Sequence, residues 1–219
     1  MSNKRVYFIR HGESESNATS TMLGANSPLT DTGRAQAENV AERMKHVAFD
    51  VLISSTYPRA LDTARAIGVS TNKPVVKSDL FYERTWPSTT LGLHYQDQKK
   101  REVEKAMFDS YARGETEYRV ADEETYSDLL LRAQAARDYL ESRPESSIVV
   151  VTHGTFLRFL HAVLQLGDQL TPQLYRNLHG GHGTYNTGVT LYEVDGEQAG
   201  MSSAKWKLRT WMDVAHLAE

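Results

Sequence analysis

Two histidine–glycine pairs each follow a run of β-branched residues. Arg10-His11-Gly12 comes directly after Val6 to Ile9, and Thr152-His153-Gly154 comes directly after Ile148 to Val151. Side chains at the carboxyl ends of strands in an α/β sheet face a common crevice, so we expect both imidazoles at one site. One histidine in such a place is most often a packed structural residue. Two of them, each beside a glycine that permits close backbone approach, favour a functional pair.

Two further groups follow predicted strands. The run Val51 to Ile53 leads to Arg59 at the start of a predicted helix, and Glu83 follows the next predicted strand. Taken singly, an ion pair of Arg59 with Asp62, or of Glu83 with Arg84, is the simpler interpretation. Taken together with the histidines and the first arginine, they form a set suited to phosphoryl transfer, because forked guanidinium donors match phosphate oxygens and neutral imidazole is a competent nucleophile.

The composition excludes several other mechanisms. The 219 residues include no cysteine, which removes disulfides, thiolate metal sites and a cysteine nucleophile. The 25 basic and 28 acidic side chains give a net charge of −3, so nothing favours binding to nucleic acid or to an anionic membrane. No apolar stretch is long enough to cross a bilayer and the first ten residues do not form a secretory signal, so we expect a cytoplasmic protein.

Hydrophobic periodicity predicts the elements that position these residues. Continuous β-branched runs indicate strands covered on both faces, and helical patterns alternate with them. The pattern predicts four helices. The first follows Thr30, the second ends at Gly68, the third begins near Thr125 and the fourth ends at Gly167. Val189 to Val194 and Ala204 to Met212 are predicted to form an antiparallel hairpin at a sheet edge, joined by the polar segment 195–200.

The segment from about 84 to 124 interrupts this alternation. It contains a charged stretch from Asp97 to Lys105 and few apolar residues. A solvated helix with loops is the simple interpretation, and it applies to most of these charges. An inserted lid or specificity segment is the functional one, because such segments over a sheet commonly carry specificity. We predict a single domain over residues 1–219 that contains this insertion.

The motifs taken in order resemble one known family. They are Arg10-His11-Gly12 with Asn17, Pro28-Leu29-Thr30 with Gly33, Ser54-Ser55 with Arg59-Ala60 and Thr63-Ala64, Leu80 with Glu83, and Thr152-His153-Gly154, with Asn186 as a possible continuation. Their order and spacing are similar to those of the histidine phosphatase superfamily, which has the phosphoglycerate mutase-like fold. The resemblance implies a three-layer α/β/α sandwich, with a mostly parallel sheet and an antiparallel C-terminal edge.

The resemblance also implies roles for the residues. His11 would carry a phosphohistidine intermediate, Arg10, Arg59 and His153 would form the phosphate pocket, and Glu83 would donate the proton. Asn17 would be a further donor beside the phosphate, although a turn residue would look the same. The backbone N–H of Thr155 could bind an anion at a helix start, or Thr155 could be an ordinary cap residue. This scheme requires no metal and no cofactor.

Within this family, the chain departs from the mutase pattern. Glu83-Arg84 is followed by Thr85-Trp86-Pro87-Ser88, and no adjacent arginine pair occurs between 84 and 124. We therefore expect hydrolysis of small phosphomonoesters. A cofactor-dependent phosphoglycerate mutase remains the alternative, and a non-catalytic phospho-ligand-binding relative is a third interpretation.

We expect a small phosphorylated substrate as the ligand and no nucleic-acid or membrane partner. The sequence leaves open whether the chain forms a homodimer. His179 and His182 have the spacing of a metal pair, but no third ligand lies at a suitable spacing. An irregular glycine-containing loop is therefore the preferred interpretation of this stretch.

Overall fold

A six-stranded sheet forms the centre of the computed structural model, which describes residues 4–179, 183–195 and 205–217. The strands are β1 (Lys4–Arg10), β2 (Val51–Ser54), β3 (Val75–Lys77), β4 (Ser147–Thr152), β5 (Val189–Asp195) and β6 (Lys205–Asp213). Their order across the sheet is β3-β2-β4-β1-β5-β6. The first four are mutually parallel, whereas β5 and β6 are antiparallel to their neighbours. The predicted mixed sheet with an antiparallel C-terminal edge is thereby confirmed.

Helices cover both faces of this sheet. They are α1 (Glu15–Ala18), α2 (Asp31–Met44), α3 (Pro58–Thr71), α4 (Gln98–Ala112), α5 (Tyr126–Ser142), α6 (Gly154–Leu166) and α7 (Pro172–His179). Short 3-10 turns occupy Asp79–Phe81, Ser88–Thr90, Gly167–Gln169 and Ala215–Leu217. No helix among the described residues is long and apolar enough to cross a membrane.

Two hydrophobic clusters lie on opposite sides of the sheet. On one side, Phe8 and Val150 pack with residues of α5, α6 and α7, and on the other, Ile9 and Val151 pack with residues of α2 and α3. Successive side chains of a strand point to opposite faces, so a strand covered on both faces must be apolar at consecutive positions. This explains the unbroken runs of aromatic or β-branched residues in β1 and β4.

The helix boundaries follow recognisable capping residues, with one correction. The Thr30 side chain accepts from the N–H of Gly33 at the start of α2, and Thr125 accepts from the N–H of Asp128 at the start of α5. The prediction that α3 ends at Gly68 is wrong, since the helix continues to Thr71. Gly68 instead provides close packing, because a Cβ there would lie 2.7 Å from the carbonyl oxygen of Lys73.

The chain leaves the adjacent strands β1 and β4 toward opposite faces. After β1 it enters the layer of α2 and α3, and after β4 it enters the layer that contains α5 and α6. Such a divergence opens a crevice at the carboxyl ends of the two strands. The predicted C-terminal hairpin is confirmed in β5 and β6, while its connecting segment 196–204, which includes Ala204, lies outside the described residues.

Candidate active site

The two histidines meet at the crevice between β1 and β4. Their ring centroids are 5.0 Å apart, and the backbone N–H of His11 donates to the carbonyl of Thr152 at 3.0 Å. The carbonyl of His11 in turn accepts from the side-chain amide of Asn186 at 3.0 Å. Pairing of the strands that precede them therefore sets the separation of the two imidazoles.

Hydrogen bonds assign the tautomer of His11. Nδ1 lies 2.6 Å from the carbonyl oxygen of Gly12, which can only accept, so the ring hydrogen belongs on Nδ1. Nε2 accepts from Nε–H of Arg59 at 3.1 Å. Burial lowers the pKa of His11 well below its usual range, and the charges of Arg59 and Arg10 lower it further. The ring is thus neutral, with its Nε2 lone pair directed toward a guanidinium.

His153 has the same sequence context but a different environment. It is fully buried, its Nε2 lies 2.8 Å from the Ser55 hydroxyl, and its Nδ1 has no hydrogen-bond partner among the described residues. The Ser55 oxygen already accepts from the N–H of Tyr57, so its own hydrogen is free to point at Nε2. Burial lowers the pKa of His153 well below its usual range, followed by the charges of Arg59, His11 and Arg10. This assignment leaves the hydrogen on the unpartnered Nδ1.

The two arginines are anchored at one end and free at the other. Nη1 of Arg10 donates to the carbonyl of Thr184 at 2.7 Å, while its buried Nε has no partner within the described part of the chain. Nη1 of Arg59 donates to the carbonyls of Gly24 and Ala25 at 3.0 and 3.1 Å. These bonds hold both guanidinium groups beside His11 and leave donors for an oxyanion.

Three glycines make this close approach possible. A Cβ on Gly12 would lie 2.4 Å from the carbonyl oxygen of Gly33, and one on Gly33 would lie 1.9 Å from that of Glu13. A Cβ on Gly154 would lie 2.7 Å from Oγ1 of Thr184 and 3.2 Å from Nε of Arg10. The glycine beside His11 therefore permits packing of backbone on backbone, whereas the glycine beside His153 makes room for Arg10.

Glu83 is held against the start of α6. Its Oε1 accepts from the N–H groups of Phe156 and Arg84 at 2.8 and 2.9 Å, and its Oε2 accepts from the N–H of Thr155 at 3.1 Å. These N–H groups hold the side chain in place at the helix N-terminus. The alternative ion pair of Glu83 with Arg84 is absent among the described contacts, since Arg84 pairs with Glu123.

A buried ion pair clamps the segment that carries Glu83. Arg132 of α5 binds both oxygens of Glu124, each at 2.8 Å, and donates to the carbonyl of Tyr82, also at 2.8 Å. Glu124 also accepts from the N–H of Thr85 at 2.8 Å. The residues on both sides of Glu83 are thus fixed by one bidentate pair, a geometry that positions planar groups well.

Asn17 and Thr155 both have hydrogen-bond partners within the protein. Oδ1 of Asn17 accepts from the N–H of Ser14 and from the amide of Asn186, in the cap of α1. The Thr155 N–H, expected to meet an anion directly, meets the carboxylate of Glu83. Both residues nevertheless line the cavity described next.

A cavity of about 530 Å³ opens in front of His11. Of the residues expected at the site, it is lined by Arg10, His11, Asn17, Arg59, Glu83 and Thr155. His153 lies behind His11, in contact with its ring. The volume exceeds what one phosphate needs and lies in the range of small-molecule sites.

The outer wall of the cavity comes from the 84–124 segment and the loop near Met22. Lys100 is buried there, between 5 and 6 Å from the ring centroids of Trp86 and Tyr95, and it pairs with Glu104. The cation is therefore already paired and stacked, and this wall presents Trp86 and Leu91 beside polar side chains that include Ser88 and Asp122.

His179 also lines the cavity, although no role at the site is expected for it. His179 contacts Phe108 and Tyr175, and burial, then the charges of Arg158 and Arg84, lower its pKa to about 4. Its proposed metal-pair partner, His182, lies outside the described residues. Within those residues, no group of three or more His, Cys, Asp or Glu side chains could hold a metal ion.

Sequence reasoning did not identify several contributing groups. Ser55 and Thr63 stood only as motif positions, yet Ser55 orients His153 and Oγ1 of Thr63 accepts from the N–H of Gly12 at 3.0 Å. Arg132 and Glu124 carried no motif. The spacing of these two residues across the start of α5 does not predict their ion pair, because the pairing depends on where the 84–124 segment returns to the sheet.

Comparisons with known proteins agree with this fold. A probable phosphoglycerate mutase GpmB from Proteus mirabilis is 28% identical over 98% of this chain and 95% of its own. An uncharacterized phosphatase PhoE from Bacillus subtilis is 27% identical over 97% of this chain and 96% of its own. Among solved structures, YhfR of Bacillus stearothermophilus has a TM-score of 0.78 and 26% identity, covering 98% of this chain and all of that one.

The family assignment rests on a match that extends well beyond the motifs. The model of the histidine phosphatase superfamily (branch 1) matches residues 6–207, which include both histidines, both arginines, Glu83, strands β2 to β5 and most of β1. Because the match covers nearly the whole chain and the site geometry lies within it, this protein belongs to the histidine phosphatase superfamily.

Proposed function

We propose that this protein hydrolyses small phosphomonoesters through a phosphohistidine on His11. The observation that carries the proposal is the fixed orientation of this imidazole. The Gly12 carbonyl holds the hydrogen on Nδ1, and the lone pair of Nε2 accepts from Arg59. A neutral, oriented imidazole beside guanidinium groups meets the needs of phosphoryl transfer, which are positioning and charge stabilisation.

The first half-reaction transfers the phosphoryl group to the enzyme. The arriving phosphate replaces His11 as partner of Nε of Arg59, and Arg10 and the Nδ1–H of His153 bind the remaining oxygens. Nε2 of His11 forms a bond to phosphorus while the bond from phosphorus to the alcohol oxygen breaks. The leaving oxygen takes a proton from Glu83. Oε2 is the suitable oxygen, because it accepts one backbone N–H where Oε1 accepts two.

The second half-reaction regenerates the enzyme. The Glu83 carboxylate accepts a proton from a water molecule whose oxygen bonds to phosphorus. The bond from phosphorus to Nε2 then breaks, and inorganic phosphate leaves. Glu83 acts as acid and then as base, so the anchoring N–H groups of Thr155, Phe156 and Arg84 keep it in position for both steps.

Hydrolysis is the better-supported of the two family reactions. The outer wall contributes Trp86 and a lysine already paired with Glu104, whereas a mutase must retain a second phosphorylated ligand during turnover. The relatives carry both kinds of name, phosphatase and probable phosphoglycerate mutase. We also propose that the substrate is a small phosphorylated molecule and that segment 84–124 acts as a lid. The proposal includes no nucleic-acid or membrane partner.

Phosphate release from p-nitrophenyl phosphate tests the proposal. We expect the wild-type protein to release phosphate and His11→Ala to lose at least about 10⁴-fold in kcat/KM, because no other nucleophile replaces it. Brief mixing with substrate should label the wild-type chain with an acid-labile phosphoryl group that His11→Ala lacks. The exposed His46→Ala is the matched control. Equal phosphate release by wild type and His11→Ala would refute the mechanism.

The mutase alternative has its own assay. We expect no conversion of 3-phosphoglycerate to 2-phosphoglycerate, with or without 2,3-bisphosphoglycerate. Rapid conversion that depends on the bisphosphate would show that this site catalyses phosphoryl exchange and not hydrolysis.

A further inference from the structure

A tyrosine of the cavity wall packs against two groups of the phosphate pocket. Tyr57 comes directly before α3, and its partly buried side chain lines the cavity. The guanidinium carbon of Arg59 lies over this ring, 5.2 Å from its centroid. The imidazole of His153 packs T-shaped against the same ring, with the two centroids 5.2 Å apart. One aromatic side chain therefore contacts both a phosphate-binding arginine and the supporting histidine.

The contacts of this ring continue to the loop that carries the proposed acid. Tyr57 stacks on Tyr82 with centroids 5.8 Å apart and an interplanar angle of 25°. Arg132 contacts the rings of Tyr82 and Phe156, and its guanidinium carbon lies 3.8 and 4.2 Å from their centroids. These groups form one continuous series, which we call the aromatic column: Arg59, Tyr57, Tyr82, Arg132 and Phe156.

Both ends of the aromatic column reach the reacting groups. At one end, Nε of Arg59 donates to Nε2 of His11 at 3.1 Å. At the other end, the N–H of Phe156 donates to the carboxylate of Glu83 at 2.8 Å. Tyr82, in the middle of the column, directly precedes Glu83 in the chain. The column therefore joins the side of the site that would hold the phosphoryl group to the side that would protonate the leaving oxygen.

Stacking can hold Arg59 in place while its hydrogen bonds change. Nη1 of Arg59 donates to the carbonyls of Gly24 and Ala25, and in the proposed reaction the arriving phosphate replaces His11 at Nε. A cation–π contact uses the face of a guanidinium group and leaves the N–H groups at its edge for oxygen acceptors. The contact with the Tyr57 ring is therefore compatible with phosphate binding and persists through that exchange.

We propose that Tyr57 is a positioning residue of this site. Its ring fixes the plane of the Arg59 guanidinium and the place of the His153 imidazole. Through Tyr82, the same ring sets both groups relative to Glu83. This inference rests on the proposed function and adds to it a residue that forms no bond with the substrate in either half-reaction. The three contacts are made by the ring and none of them uses the hydroxyl, so the ring carries the role.

Binding of inorganic phosphate tests the positioning of Arg59 and His153 without any turnover. By calorimetry, we expect Tyr57→Leu to weaken phosphate binding about 5- to 30-fold, the range of one desolvated cation–π contact, and Tyr57→Phe to retain most of the affinity. Phe49→Leu is the matched control, because it also removes a ring that contacts a cation, Lys73 at 5.9 Å, at the amino end of β2. This control should lower the stability of the fold and leave phosphate affinity unchanged.

The leaving group tests the connection to Glu83. The ester p-nitrophenyl phosphate releases a stable phenolate that needs little protonation, whereas glycerol 3-phosphate releases an alkoxide that needs the proton of a general acid. Tyr57→Leu should therefore lower kcat/KM for glycerol 3-phosphate at least about 3-fold more than for p-nitrophenyl phosphate. Tyr57→Phe and Phe49→Leu should leave the ratio of the two values as it is in the wild type.

Phosphate affinity separates failure of this inference from failure of the proposed function. A loss of affinity in Tyr57→Leu that Tyr57→Phe does not share supports the inference even if the wild type hydrolyses nothing. Wild-type affinity in Tyr57→Leu, or an equal loss in Tyr57→Phe, overturns it even if hydrolysis is fast. An unchanged ratio between the two esters in Tyr57→Leu overturns the connection to Glu83. If Tyr57→Leu does not fold, Tyr57→Met, which also lacks a ring, takes its place in both measurements.

Discussion

The two histidine–glycine loops share a sequence signature but differ in their surroundings. His11 faces the cavity with a backbone carbonyl on Nδ1 and a guanidinium on Nε2. His153 is buried behind it, with a serine hydroxyl on Nε2 and no partner on Nδ1. In the first arrangement the nitrogen that faces Arg59 is Nε2 with its lone pair. In the second, the Nδ1–H is a donor that no described residue uses. Equivalent strand ends can therefore supply a nucleophile and a supporting donor, and the neighbours of each ring nitrogen decide which.

Removing the buried imidazole of His153 is the strongest test of the difference between the two loops. We expect His153→Ala to lower kcat/KM by about 10²- to 10³-fold, the effect of losing one preorganised donor. Phosphoryl labelling of His11 should persist at a reduced rate, because the nucleophile is intact. Rapid-quench labelling measures this rate. If His153→Ala abolished labelling as completely as His11→Ala, the two rings would not have separate roles.

Substituting the adjacent glycines distinguishes the loops by a smaller effect. Gly154→Ala should displace Arg10 and lower kcat/KM by about 10- to 100-fold with a small change in stability, since its Cβ meets side-chain atoms. Gly12→Ala meets the Gly33 carbonyl and should destabilise the fold by about 1–3 kcal/mol. Urea unfolding and steady-state kinetics on both variants measure these quantities. The reverse assignment, with the stability loss at Gly154, would contradict the two packing roles.

The smallest effect concerns pH. The folded-state pKa values of His11 and His153 lie well below the unfolded value, so the unfolded chain binds protons first as the pH falls through about 6.5. Stability should therefore fall from pH 7 to pH 5, by about 1.4 kcal/mol per pH unit for each such histidine. Activity should persist below pH 6.5, because His11 stays neutral.

Variants separate the two histidines from other titrating groups. His179 and His216, whose pKa values burial lowers to about 4, add to the same slope. His11→Asn/His153→Asn should flatten the slope by two histidine contributions and leave the remainder. Urea unfolding at pH 7, 6 and 5 measures it. A free energy of unfolding that rises toward pH 5 in the wild type would show that these rings are protonated in the folded state.

The strands and their polar ends were predictable because the information is local. An unbroken β-branched run followed by His-Gly marks a buried strand that ends at a crevice, and the helix starts carry their own caps at Thr30 and Thr125. The end of α3 was mispredicted because Gly68 is used for packing, while Asn72 adopts the left-handed conformation that stops the helix.

The environment of each side chain was not predictable in the same way. The bond of Ser55 to His153 and the clamp of Arg132 on Glu124 depend on contacts between distant segments. Residue type and spacing indicate which groups can act on a phosphate. They do not indicate which nitrogen of an imidazole is free, or which arginine lacks a carboxylate.

The strand order also affects when during synthesis the chain becomes competent. Strands β1 and β2 do not pair with each other, and each is joined to the sheet through β4. Until residues 147–152 have left the ribosome, the strands that precede His11 and Arg59 have no common neighbour. Insertion of one late strand brings both groups together and delivers His153 in the same event. The phosphate pocket is thus assembled only when β4 joins the sheet, so it depends on contacts that are distant in sequence.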